Sequence, residues 1–234
     1  FSSPPTDPAG LIAARRRCLA DSSSAAKFEN SAREARENSH QPAAYLASWV
    51  EGDYRKALEL AKGRDPLAVF VRGSAQIELG DCKAALAELQ GSSKGKDPQL
   101  AAAELQAMLG LQRHDEIAKL LLTAPLSEPD RYYFQGRLAE VAGDHQGAVV
   151  CYESALARDP EHAAARFRIA YRADLMGDDE RTLAEYEVLL ARRPVPAAVL
   201  INMGVYFEDR NMFERACGCY AAVLRRDPSN ARAR

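Results

Sequence analysis

Aromatic side chains are scarce. They form 7% of the 234 residues and include a single tryptophan, and valine and isoleucine are sparse as well. No segment alternates apolar and polar residues for long, so a sheet is not expected. No apolar run is long enough to cross a membrane. Neither sign of charge is in excess. The 31 basic and 33 acidic residues leave a net charge of −2, which gives no electrostatic case for nucleic acid as a direct partner. The one basic run, Arg15-Arg16-Arg17, reads as a solvated helix face. The five cysteines are odd in number and scattered, which suggests free thiols in a reducing, cytoplasmic compartment. The opening Phe-Ser-Ser-Pro-Pro-Thr-Asp-Pro has neither the charged nor the apolar region of a signal peptide. It also lacks an initiator methionine, so the chain is expected to be a piece of a longer protein.

What is abundant favours helix. Apolar residues make up 47%, led by alanine and leucine, and glutamate and arginine add to the helix-forming share. The sequence also repeats itself. Three blocks, 129–162, 163–196 and 197–230, align without gaps at a spacing of 34. Their eighth positions are Gly136, Ala170 and Gly204. Their twentieth are Ala148, Thr182 and Ala216, and their twenty-fourth Tyr152, Tyr186 and Tyr220. Their thirty-second are Pro160, Pro194 and Pro228.

Each recurrence has a physical reason. Small residues at positions eight and twenty let two helices approach closely. The ring at position twenty-four is expected to fill the gap between one hairpin and the next. Proline ends one helix and opens another. Gly143-Asp144, Gly177-Asp178 and Asp209-Arg210-Asn211 read as turns. Glycine or asparagine there supplies a left-handed residue, and aspartate caps the next helix.

These residues resemble the tetratricopeptide repeat (TPR) family. The resemblance implies an all-α fold: a right-handed α-solenoid of antiparallel helical hairpins. Residues 129–230 form three regular repeats. Residues 38–128 carry looser ones, with turns at Gly52-Asp53, Gly80-Asp81 and Gln112, spacings of 28, 32 and 31, and Ala61, Leu89 and Leu121 in place of the tyrosines. Residues 8–37 read as a helical pair, either a further hairpin or a cap, and 1–7 as a flexible tail. Residues 231–234 match the start of another repeat, so a further helix is expected to begin there. The run from Leu200 to Tyr220 and on to Arg234 is also similar to a bacterial group of TPR proteins. In that group the array precedes a domain like the C-terminal domain of the RNA polymerase α subunit, which implies a tie to transcription.

Catalytic chemistry is not expected. The histidines His40, His114, His145 and His162 sit at unrelated positions and read as exposed loop residues. Cys217 and Cys219 are two apart on a helix and point about 200° apart, so they make a poor metal pair, and no metal or cofactor is implied. Gly91-Ser92-Ser93-Lys94-Gly95-Lys96 lacks the spacing of a phosphate loop. The acids Asp115-Glu116 and Asp178-Asp179-Glu180 sit at helix starts, where the dipole favours them.

Function is therefore expected on a surface. In the TPR family the first helix of each hairpin lines a concave groove that holds a protein or peptide segment. Mapped by register, the groove is Tyr133, Arg137, Glu140, Phe167, Arg168, Tyr171, Asp174, Asn202, Val205 and Glu208, with Asp130, Phe134 and Ile201 beside them. Arg137, Arg168 and Asn202 either receive a carboxylate together or pair internally with Glu140 and Asp174. The set departs from the carboxylate clamp of TPR co-chaperones. Tyr133 and Arg137 stand where that clamp has lysine and asparagine, and Ala198 and Asn202 where it has basic residues. Upstream, Leu67, Phe70, Val71 and Ile77 form an apolar stretch, and Trp49 is either core or a groove anchor. The reading is a scaffold or adaptor. The alternatives are self-association through the C-terminal edge, or a recruiting arm for a catalytic domain elsewhere.

Overall fold

The computed structural model describes residues 41–92, 97–191 and 195–234. Within them the chain is all-helical, with twelve helices and no strand. They are α1 (Gln41–Glu51), α2 (Tyr54–Leu60), α3 (Pro66–Glu78), α4 (Cys82–Ser92), α5 (Pro98–Gly110), α6 (His114–Leu120), α7 (Glu128–Val141), α8 (His145–Arg158), α9 (Ala163–Leu175), α10 (Asp179–Leu190), α11 (Ala197–Asp209) and α12 (Phe213–Leu224). None is long and apolar enough to cross a membrane. The expectations for residues 1–7 and 8–37, with Arg15 to Arg17, Cys18 and His40, lie outside the described residues, as do 93–96 of the glycine-lysine link.

Consecutive helices pack as six pairs, α1 with α2 through α11 with α12. Local chemistry fixes each turn. Gly52, Gly80, Gly143 and Gly177 hold φ between +74° and +87°, and Gln112 and Asn211 take the same region at +57° and +58°. Beta-carbon crowding disfavours this region for other residues, and asparagine tolerates it best. Asp53, Asp81, Asp144 and Asp178 then accept the backbone N–H three residues on, at 2.8–3.2 Å. The α6 and α12 starts, at Arg113 and Met212, have no side-chain cap. First helices are capped separately by Asp65, Asp97, Ser127 and His162.

Positions eight and twenty-four of the repeat form one joint. A Cβ built on Gly136 would stand 2.5 Å from Tyr152 Cε1, and one on Gly204 2.3 Å from Tyr220 Cε1. The ring thus lies flush on the first helix of its own pair. This adds to the sequence expectation that it fills the gap to the next pair. Tyr186 does that as well, with its ring 6.5 Å from that of Tyr206. Upstream, Leu89 takes the tyrosine's place over Gly73, 2.8 Å from where a Cβ would be.

Three apolar clusters follow one another. The first joins α1, α2 and α3, the second runs from Val69 to Ile169, and the third from Ala170 to Ala233. The two ends of the described chain also touch. Arg55 Nη2 donates to Ser229 Oγ at 2.6 Å and lies 3.5 Å from Asp227 Oδ1. Residues 231–234, where the repeat register predicts the start of a further helix, form a turn. Arg232 N–H bonds Asn230 Oδ1 at 3.2 Å, and Ala233 is buried.

Candidate functional site

A cavity of about 330 Å³ opens where first helices face one another. Trp49 comes from α1. Phe70, Ser74 and Ile77 come from α3, and Gln99, Ala102 and Gln106 from α5. Tyr133 comes from α7, and His162 is the cap of α9. The α3 and α5 residues recur every three or four positions, so each set lies on one helix face. No second helix contributes. Trp49 is 4% exposed and meets Phe70 edge to face at 5.4 Å, so it is core and cavity wall at once. Of the upstream apolar stretch, Phe70 and Ile77 line the cavity, while Leu67 and Val71 are buried in the core.

The polar rim is specific. Gln99 Oε1 is buried without a hydrogen-bond donor among the described residues. Tyr133 donates its hydroxyl proton to Gln106 Oε1 at 3.4 Å. His162 is 6% exposed, which corrects its reading as an exposed loop histidine. Its Nδ1 accepts the Ala165 N–H at 3.1 Å, leaving the proton on Nε2, which faces Asp130 Oδ1 at 3.1 Å. One histidine thus caps α9 and ties it to α7, and Asp130 in turn meets the Ser127 hydroxyl. The sequence held a signal for this: an aspartate near the start of one repeat and a histidine just before the first helix of the next.

The residues mapped from the register fall into three groups. Tyr133, Arg137, Glu140, Arg168 and Tyr171 come together. Arg168 donates twice to Glu140, at 3.2 and 2.5 Å, and lies over the Tyr171 ring at 4.8 Å. Arg137 donates to the Tyr133 oxygen at 3.2 Å, and its Nε is 3.2 Å from Glu140 Oε2 without hydrogen-bond alignment. Internal pairing therefore describes these arginines: Glu140 is the counter-ion of both and accepts hydrogen bonds from Arg168. Asp174 pairs elsewhere, 3.6 Å from Arg210, and burial pushes its carboxyl above the usual range while Arg210 pulls it back. Phe167 packs near Tyr186, with ring centroids 6.5 Å apart. Asn202 bonds back to the Ala198 carbonyl at 2.8 Å, Val205 is exposed, and Glu208 accepts the Tyr220 hydroxyl at 3.0 Å. The α11 residues thus share no hydrogen bond with the arginine cluster.

Among the described residues no group of histidine, cysteine and carboxylate side chains is arranged to hold a metal ion. The thiols of Cys82, Cys151, Cys217 and Cys219 are free. A scan against protein-family models and a search of curated proteins both return no match.

Proposed function

We propose that the chain is a tetratricopeptide-type solenoid whose first helices line a concave groove, and that the groove binds an extended segment of a partner protein. One observation carries the reading. A single cavity is walled by five successive pairs through their first helices and their caps alone. An aromatic corner of Trp49, Phe70 and Tyr133 receives an apolar side chain, where aromatic walls give large contact area. The unengaged Gln99 carbonyl accepts a backbone N–H of the segment, replacing the water it would otherwise need. The site is therefore displaced toward the N-terminal half from where the regular repeats placed it.

The test is selection of peptides from a random displayed library on the immobilised chain. Affinities are then measured for the chain itself and for Ser74→Trp, which fills the cavity from a half-buried position. Circular dichroism checks that the variant folds. A loss of at least tenfold in the variant is expected. Failure to select any peptide, or equal binding by both proteins, rejects the reading. Self-association is a second reading, favoured by the exposed Met212 and Phe213 on the last pair. A mass that rises with concentration in sedimentation, and returns to monomer in Phe213→Glu, is its expected signature.

A further inference from the structure

A second cavity, about 540 Å³, lies between α8, α9 and α10. It uses another face of α9. Ile169, Arg172, Ala173 and Met176 line it, spaced three and four apart, whereas His162 and Ala164 at the start of that helix face the groove. Its walls are mostly aliphatic: Val149, Val150, Ile169 and Met176. Val150 and Met176 are 57% and 75% exposed, so the mouth is apolar and open.

The charged groups around it are not equivalent. Arg181 pairs with Glu153 at 2.6 Å. Asp178 accepts the Arg181 backbone N–H at 3.0 Å as the cap of α10. Both carboxylates are thus engaged, and so is one guanidinium. Arg172 is not. It is half-buried, its Nε is fully buried without an acceptor, and no carboxylate lies within ion-pair distance of it among the described residues. Arg137 and Arg166 also have a buried Nε without an acceptor. They differ in being held through their other nitrogens. Arg137 bonds Tyr133, and Arg166 bonds Glu185 at 2.6 Å and the Pro160 carbonyl at 2.8 Å. A buried donor left unmade calls for a partner, and a guanidinium's planar fork matches a carboxylate.

We propose that this cavity is a binding site for a small aliphatic carboxylate, with Arg172 taking the acid group and Val149, Val150, Ile169 and Met176 enclosing the hydrocarbon. The volume falls within the range of small-molecule sites, about 300–1,000 Å³. The site is independent of the groove reading.

Hexanoate, hexanol and hexylamine are the probes, titrated into the isotope-labelled chain and followed by nuclear magnetic resonance. Hexanoate is expected to bind at least tenfold more tightly than either of the others. It should shift the Arg172 Nε–H resonance and the amides of Val149, Val150 and Ile169. Arg172→Met keeps the apolar stem and is expected to lose the preference for hexanoate while still binding hexanol. Arg172→Lys, which keeps the charge but not the fork, should fall between. Val150→Trp, which fills the mouth, should abolish all binding. Equal affinity for hexanoate and hexanol, an unchanged preference in Arg172→Met, or shifts confined to residues outside the cavity would each overturn the proposal.

Discussion

Residues 129–230 and 41–128 solve the same packing problem with different materials. In the first region a tyrosine lies on glycine in two pairs, Tyr152 on Gly136 and Tyr220 on Gly204, and in the third Tyr186 and Ala170 hold the same register positions within one apolar cluster. In the second the tyrosine is replaced by Ala61, Leu89 and Leu121, all buried. Their polar chemistry differs more. The regular region holds the ion pairs around Glu140. The irregular region supplies Trp49, Phe70 and Gln99 to the first cavity, which Tyr133 and His162 of the regular region close, and Gln99 Oε1 has no donor among the described residues. That candidate site thus straddles the boundary between the two regions.

The sharpest way to break that comparison is to remove the ring. Tyr152 is fully buried, and truncating a buried aromatic side chain to alanine costs about 3–5 kcal/mol. Leu89→Ala should cost about 2–5 kcal/mol by the same mechanism. Denaturant titration of both variants measures the difference, and a smaller loss for Tyr152→Ala would deny the tyrosine its special place. The glycine beneath it gives a finer contrast. An alanine at 136 presses on the flat of a ring, so Gly136→Ala should cost about 1–3 kcal/mol through overpacking. Gly73→Ala meets Leu89 Cγ and Cδ2, both at 2.8 Å, in a fully buried side chain, and the alanine's helix preference of about 1 kcal/mol acts at both glycines. Its cost should therefore be similar, and a loss well below that of Gly136→Ala would show that the aliphatic joint yields where the aromatic one does not.

Alkaline pH sharpens the same contrast. Burial pushes the hydroxyls of Tyr152 and Tyr186 well above their usual value, and that of Tyr45 up to about 12. In the unfolded chain each loses its proton near pH 10, while the folded chain keeps it. The unfolded state then binds fewer protons, so stability falls as pH rises above 10. Two of the three rings belong to the regular region. Tyr152→Phe with Tyr186→Phe should therefore flatten the fall in unfolding free energy between pH 9.5 and 11.5 more than Tyr45→Phe does. Equal slopes would show that those two hydroxyls do not govern it.

The sequence made the turns legible because they are local. Gly143-Asp144 needs only one residue at positive φ and one side-chain oxygen in reach of an N–H. The Gly136–Tyr152 joint was half legible, since its recurrence was plain but its direction was not. The cavity was not legible. Trp49 and His162 stand 113 positions apart in the sequence, and no local pattern sets their distance. His162 misled for a related reason. Its cap is local, but its burial depends on Asp130, a partner 32 residues away.

The smallest effect concerns the junction of the two regions. Arg55, in α2, reaches Asp227 and Ser229 beyond α12, and Arg226 lies 3.4 Å from where a Cβ on Gly52 would be. The Arg55 side chain is 64% exposed, so solvent screens the pair and its loss should change stability by only about 0.2–1 kcal/mol. Its geometric effect should be larger than its energetic one, because it joins ends 172 residues apart. Arg55→Glu turns attraction to Asp227 into repulsion. X-ray scattering should then show a larger radius of gyration for the variant at low salt, converging on the wild-type value of the salt-opened protein as screening grows. An unchanged radius at low salt would mean that the two regions hold their relative positions through the apolar clusters alone.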